Sequence, residues 1–574
     1  MSETFGIDFG TTNSVLARAS GQSIEVIKLD DALPADWAAT GMDQVLPSVL
    51  AFDGSQPVFG WAARQRHGDR LEAVKRLFAT DDSIDVGGRS LHVETAAAMI
   101  FRHIQRRAAA GGLVTPVDRA VVTIPANSRG QARYRTKLSA GLAGIEVAAL
   151  INEPTAAAMA HARSIGQEQR ILVFDWGGGT LDVTVLESVD GAFIEQTSKG
   201  VQRLGGIDVD RMFAAAILPN VAGSADWRAE ELNLFRLNLE RAKIALSSRD
   251  KTQVALPRGD FLEVTREQFE AAVEPLMART REPVQVCLRE SPGRIDHLVM
   301  VGGSSKMPAI RRFVTDLVGV EPTEGADPMT AVAEGAAIAA GILAGTITDL
   351  DFYVGTEHAL GVIVHNDDSP PDGSFSVLIG RNTKYPARAT DDYTPAVDFQ
   401  ESVKVLVIEG DPDKPVKHED NVVLKDWSVK LKEQRPVEDA AFSVTYEYDI
   451  DGILHVSVND RSTGETLMDE AFTFGAGKDQ SALAGLRREV DRLMTGAPPE
   501  AAQLMPAVPA ARLSPAAEVS VRKARDKVVP FIDEPEKTSL GELVAELEAA
   551  AGSGEEGERH AALERALRAH AYLL

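Results

Sequence analysis

Two distant segments of the chain repeat one arrangement of residue types. Gly6-Ile7-Asp8-Phe9-Gly10-Thr11-Thr12-Asn13 and Phe174-Asp175-Trp176-Gly177-Gly178-Gly179-Thr180-Leu181-Asp182 each run from an apolar stretch into an aspartate, a glycine turn with threonine, and a second stretch. Glycines at such a turn let backbone N–H groups approach an anion closely, and threonine hydroxyls add donors. A carboxylate at the strand end is a hard oxygen ligand that suits Mg²⁺, directly or through water. Two such turns facing each other would clamp a polyphosphate from both sides. Either segment alone reads equally well as a glycine hairpin; the matched order of aspartate, glycine and threonine in both favours the shared chemistry.

A third glycine turn, Val301-Gly302-Gly303-Ser304-Ser305-Lys306-Met307-Pro308, lies between an apolar run and a helical stripe that starts near Ile310. A strand entering a helix N-terminus at Gly-Gly is a setting for anion or ribose sites. On spacing alone Lys75 is a solvated cation and Glu153 an acid at a helix N-terminus. No Gly-x-x-x-x-Gly-Lys-Ser/Thr, His-Glu-x-x-His or Gly-x-Ser-x-Gly run occurs, and Gly475-Ala476-Gly477-Lys478-Asp479 reads as a loop.

The elements that must hold these turns come in three textures. Residues 1 to about 345 alternate apolar strand-like runs with helical segments, as in Val121 to Ile124 and Ile171 to Phe174, which predicts an α/β architecture with buried strands. From about 357 to 475, Val403, Val405 and Val407 alternate with their neighbours, and Phe442, Val444, Tyr446 and Tyr448 share a face. Asp451-Gly452 then predicts a hairpin turn into Leu454, Val456 and Val458, so this is a separate antiparallel β-domain. Beyond 476, Leu483, Leu486, Val490 and Leu493 form a helical stripe. After a proline-rich break from Pro498 to Pro515, Ser539 and Glu542 predict a capping box, and Leu563, Leu567, Ala571 and Leu574 a last stripe of a small helical bundle.

The chain has 574 residues, and its 60 basic against 85 acidic residues give a net charge of −25. That balance disfavours nucleic acid and anionic membranes as partners, so any bound phosphate must be held by local amides, a metal ion and a few placed cations. Cys287 is the sole cysteine, which excludes an intramolecular disulfide and thiol-rich zinc sites. With strand-like residues starting at Phe5 and no long apolar run, the expected compartment is the cytoplasm.

In this order the motifs resemble the actin-like ATPase fold. Ile151-Asn152-Glu153-Pro154-Thr155-Ala156-Ala157-Ala158 and Asp451-Gly452-Ile453-Leu454-His455-Val456 resemble the DnaK-type heat-shock chaperones of the seventy-kilodalton class, over residues 4 to 475, with a helical tail like that of a short-lidded bacterial branch. The resemblance implies a multidomain chain: a two-lobed actin-like α/β ATPase domain (1–345), a linker (346–356), a β-sandwich peptide-binding domain (357–475) and an α-helical lid (476–574).

The implied activity is slow ATP hydrolysis that controls binding and release of extended hydrophobic peptide segments in protein folding and the stress response. The implied ligands are ATP or ADP with Mg²⁺, and K⁺ as an optional further cation. By the same resemblance Thr11, Thr12 and Asn13 contact the phosphates, with Gly178, Gly179 and Thr180 as the second turn. Asp8 and Asp175 hold the Mg²⁺ water shell. Lys75 positions the attacking water, with Glu153, Asp182 and Thr180 completing the catalytic set. Glu240, Lys243, Gly302, Gly303 and Ser304 match the adenosine contacts, and Lys306 replaces the family's arginine over the adenine. Val362, Val364, His365, Tyr393, Ala396, Val403 and Val405 map onto the peptide groove, where alternation alone gives a sandwich core. Pro125 and Arg133 match an interdomain relay.

The sequence also departs from the family. The linker Asp349-Leu350-Asp351-Phe352-Tyr353-Val354-Gly355 lacks the family's leucine run, residues 126–130 lose its aromatic and acidic pattern, and Ala149 replaces a basic residue. In the family these positions serve J-domain cochaperones and interdomain coupling; a nucleotide exchange factor is the other partner the resemblance implies. The departures favour an alternative: an ATP-binding regulatory or scaffold protein with one dedicated partner. The stretch from Lys75 to His92 is short, which predicts a reduced outer subdomain. An actin-like filament protein would share the nucleotide fold but not the β-domain.

Overall fold

The computed structural model describes residues 3–569 except 35–36, 38–40, 67, 79–81, 127, 129, 163–164, 167, 190, 353–355, 357, 366–369, 371, 382, 384–385, 419–420, 449–452, 472–479, 497–513, 515–516, 518–519, 522, 530–535 and 551–555. The chain forms two compact units that do not follow its linear order: Met1–Gly206 with Arg279–Ala497, and Ile207–Ala278 with Pro498–Leu574.

The first unit holds two sheets of one plan. In one, Glu146–Asn152, Arg119–Ile124 and Glu3–Phe9 run parallel, and Asn13–Ser20 and Ser23–Ile27 continue antiparallel. In the other, His297–Val301 runs parallel to Gln169–Trp176, which turns back through Thr180–Val189 to Ala192–Gln202. Ile7, Phe9 and the run Ile171 to Phe174 are buried, as expected of strands covered on both faces. Asp351–Phe352, from the expected linker, adds a short parallel strand to the edge beside Ala192 and Phe193.

Small residues let the cover come close. A Cβ on Gly6 would fall 2.1 Å from the backbone N of Ala337, in helix Ala331–Leu343, and one on Gly335 would fall 1.7 Å from the carbonyl of Ala156, in helix Glu153–Ala160. Only glycine fits at either crossing.

Two four-stranded antiparallel sheets follow, in the orders Ser374–Ile379, Ala359–Val364, Ser402–Gly410, Val422–Lys430 and Ala387–Tyr393, Phe442–Tyr448, Leu454–Asp460, Thr466–Ala471. Val403, Val405, Val407 and Phe442, Val444, Tyr446, Tyr448 are buried in one shared core, and the Tyr446 hydroxyl donates to Gly361 O of the opposite sheet at 2.7 Å. Ile408 is buried as well, out of alternation, because the pairing shifts register between Val407 and Ile408. The turn expected at Asp451-Gly452 lies outside the described residues. Helix Gln480–Met494 buries Leu486, Val490 and Leu493 in the core that contains helix Val93–Ala110, while Leu483 is half-buried.

The second unit contains helix Ala229–Leu246, the hairpin Lys251–Ala255 and Phe261–Thr265, and C-terminal helices Glu536–Ala549 and Glu556–Ala569. Val521, Val528, Leu540, Val544, Leu547, Leu563 and Leu567 share its core; Ala571 and Leu574 lie outside the described residues. The capping box expected at Ser539 and Glu542 is not used. Ser539 lies inside helix Glu536–Ala549. The helical stripe expected from near Ile310 is helix Pro308–Val318, which follows a 3₁₀ turn at Gly303–Lys306. No helix among the described residues is long and apolar enough to cross a membrane.

Candidate functional site

Asp8 sits one residue before the end of Glu3–Phe9, Gly10 to Thr12 make the turn, and Asn13 opens the next strand. Asp175 occupies the same place in the second sheet and lies directly opposite Asp182 in the hairpin register. The two turns face each other. A Cβ on Gly178 would lie 1.6 Å from Thr12 Oγ1, and one on Gly179 would lie 2.6 Å from Thr11 Cγ2. Gly205 packs equally tightly on Gly178, where an added Cβ would come within 2.4 Å.

Four carboxylates converge here around one ammonium group. Lys75 Nζ pairs with Glu153 Oε1 at 2.5 Å, the two side chains being only 8% and 12% exposed. Enclosure in the cleft pushes the Asp8 carboxyl up to about 7 and the Glu153 charge adds to this, while Lys75 and a hydrogen bond from Thr123 Oγ1 (3.1 Å) oppose it. Asp175 is raised by burial first, then by Glu153, Asp182 and Asp8, again with Lys75 opposing. Thr180 Oγ1 donates to Asp182 Oδ2 at 3.1 Å.

Such a carboxylate excess is the donor chemistry of a hard divalent cation. Among the described residues no three His, Cys, Asp or Glu are grouped to hold an ion by themselves, so water or ligand oxygens would have to complete a shell. Thr12 Oγ1 and Asn13 Oδ1 are buried without a hydrogen-bond partner, so a polar ligand between the turns would satisfy atoms the protein leaves unpaired.

Several neighbours carry no motif of their own. Arg76, beside Lys75, donates from Nη2 to Gly179 O and ties the lysine's 3₁₀ helix Val74–Leu77 to the second turn. Arg133 is buried and donates to Asn152 Oδ1 at 2.6 Å; Asn152 Nδ2 in turn donates to both Glu195 oxygens at 3.0 Å, and Thr155 donates to Glu195 as well. Burial raises the Glu195 carboxyl, with the Thr155 and Asn152 hydrogen bonds and the Arg133 charge opposing. This network flanks Glu153 in the sequence, at Asn152 before it and Thr155 two residues after it. Pro125 follows strand Arg119–Ile124 and accepts the Ser128 N–H at 3.0 Å.

A family model described as Hsp70 protein matches residues 73–568. The chain belongs to the Hsp70 family. Membership makes it an ATP-dependent chaperone in the general sense, of a family that binds ATP or ADP with Mg²⁺ and hydrolyses ATP. The match begins two residues before Lys75 and leaves the Asp8 to Asn13 turn ahead of it.

The remaining positions expected from the resemblance fall in different surroundings. Gly302, at φ 80°, packs on the Trp176 carbonyl, where a Cβ would come within 2.4 Å; Ser304 Oγ donates to Gly177 O at 3.1 Å. The third turn is thereby fastened to the second. Gly303 packs beside Met329, and Lys306 pairs with Asp327 at 2.7 Å. Glu240 and Lys243 lie on helix Ala229–Leu246 of the second unit, where Lys243 pairs with Asp210 at 2.7 Å. Of the groove positions, Val362, Val403 and Val405 are buried in the sandwich core, the reading that alternation alone gives. Val364 and Tyr393 are half-buried, with Tyr393 OH 3.2 Å from Ser376 Oγ; His365 and Ala396 are exposed.

The Gly178 contact yields a test. Gly178→Ala should weaken Mg·ATP binding by about tenfold, because its methyl group can fit only if the turns separate by more than an ångström. Calorimetry against the parent protein checks this; equal affinity would mean the apposition does not hold the ligand.

Proposed function

We propose that this chain is a DnaK-type, short-lidded chaperone in which Mg·ATP between the glycine turns sets the affinity of the β-sandwich for extended hydrophobic segments of client proteins. The observation that carries this reading is the direct apposition of Gly178 on Thr12 and Gly179 on Thr11 beside Asp8, Asp175, Asp182, Glu153 and Lys75. Thr11, Thr12 and Asn13 contact the outer phosphates, and Gly178, Gly179 and Thr180 cradle them from the other lobe. Asp8 and Asp175 would hold Mg²⁺ through water, and the ion would neutralise charge developing on the phosphate oxygens. Lys75 steers the attacking water, held in place by Glu153, with Asp182 fixing Thr180. Aligning water and balancing charge needs no strong base, and slow turnover suits a timer.

The frame of this cycle is an actin-like domain at 1–345, a linker at 346–356, a peptide domain at 357–475 and a lid at 476–574, acting in the cytoplasm with J-domain and exchange-factor partners. Coupling is supported by contacts inside the first unit. Gly130 N–H points to Glu409 Oε2 at 3.4 Å, Arg381 Nη2 donates to Ser198 O at 3.2 Å, and Arg102 pairs with Asp491 at 3.0 Å. Inverting a 1:99 population takes about 5.5 kcal/mol of differential affinity, so several such contacts must change together.

Release of a fluorescent hydrophobic peptide should be at least about tenfold faster with ATP than with ADP. Equal off-rates alongside normal ATP binding would sink the cycle and leave the scaffold with one dedicated partner.

A further inference from the structure

Lys75 rides on a single 3₁₀ turn, Val74–Leu77, and so short a helix has little rigidity of its own. Its start is set by Ala73, whose φ of 56° is left-handed, a conformation uncommon for residues with a Cβ. Its end runs into Phe78, whose ring packs beside Phe9 at 6.3 Å and whose N–H bonds back to Lys75 O at 3.3 Å. The carbonyl ends of this turn meet one side chain from elsewhere. Arg135, on helix Gly130–Leu142, donates from Nη1 to Phe78 O at 3.0 Å, with Leu77 O at 3.5 Å.

Arg135 is 1% exposed, and its Nε lies 3.0 Å from Glu94 Oε1 on helix Val93–Ala110; Glu94 is 2% exposed. Asp82, at the surface, takes Nη2. A buried ion pair contributes little net stability, since desolvating two charges offsets their attraction and apolar residues of similar volume do as well. Its geometry is more informative. The guanidinium is held on its Nε side by the charge of Glu94, as an ion pair, while Nη1 donates to the main chain of the turn.

We propose that Arg135, seated by Glu94, is a positioning residue for ATP cleavage: by fixing the carbonyl end of the Val74–Leu77 turn it keeps Lys75 paired with Glu153 and aimed at the facing glycine turns. The inference rests on the reading of Lys75 given above. On this proposal Arg135 acts only through the turn, by way of Phe78 O.

Single-turnover ATP cleavage and Mg·ATP affinity measured on the full chain test it. Arg135→Ala should slow cleavage by about tenfold or more, while affinity stays within about twofold. The pair Glu94→Gln with Arg135→Met removes both charges, so it should fold and still show the slow step. In a Lys75→Ala background, Arg135→Ala should change the rate by less than about twofold, because both act through one group. Arg135→Lys should recover the rate only partly, its point charge being unable to hold the carbonyl and the carboxylate together. A parental rate in a folded Arg135 variant, or a full loss that persists without Lys75, would overturn the inference alone. A parental rate in Lys75→Ala would overturn the reading of Lys75, and this inference with it.

Discussion

Lys75→Ala is expected to lower single-turnover ATP cleavage by about 10²- to 10³-fold, the loss typical of removing one charge-stabilising donor from a phosphoryl or acyl site. Lys75 is the cation that opposes the upward push on both Asp8 and Asp175, and its ion pair is nearly closed to solvent. Removing it leaves Glu153 beside two further carboxylates without that counter-charge. The glycine turns keep their contacts, so nucleotide should still bind within severalfold of the parent. Lys75→Arg should not restore the rate, because a planar guanidinium is wider than the ammonium that Glu153 now accepts. Quench-flow with labelled ATP, alongside calorimetry for binding, gives both numbers; parental cleavage by Lys75→Ala would remove the lysine from the mechanism.

The second large effect is structural and starts from a glycine. Gly335→Ala would place a methyl carbon 1.7 Å from Ala156 O and 2.4 Å from Ala156 C, backbone atoms of a helix that cannot turn aside. The two helices must part, at a cost of about 3 kcal/mol or more, which lowers the melting transition of a unit of this size by roughly 3 °C or more. Helix Glu153–Ala160 starts with the partner of Lys75, so ATP cleavage should fall along with stability. Gly541→Ala is the control. It lies in helix Glu536–Ala549 with open space around it, so the change should leave stability equal or raise it by up to about 1 kcal/mol. Calorimetric scans of both variants decide the matter, and an unshifted transition in Gly335→Ala would mean the crossing has slack.

What was legible in the sequence was local. A strand, a turn and a returning strand are written in consecutive residues, so Asp8 to Asn13 and Asp175 to Asp182 could be recognised as a pair, and period-2 alternation disclosed the sandwich around Val405 and Tyr446. What depended on distant partners was not. Glu195 completes the network around Asn152 from a strand that carries no motif, and Arg135 looks like any helix cation until Phe78 O and Glu94 are seen beside it. Ile408 is buried because a pairing register slips, which no alternation count reveals. One helix start departed from its cap signal, since Ser539 lies inside helix Glu536–Ala549. The division into two interleaved units likewise reflects contacts between segments hundreds of residues apart.

The crossing of Gly6 on Ala337 has a consequence for biosynthesis. Strand Glu3–Phe9 emerges from the ribosome roughly 320 residues before helix Ala331–Leu343, which at about 5–20 residues per second is a wait of roughly 16–64 s. Throughout that time Phe5, Ile7 and Phe9 lack part of their final cover and offer an apolar strand to any passing chain. A nascent copy of this protein therefore presents, in strand Glu3–Phe9, the kind of extended hydrophobic segment that mature copies are proposed to grip.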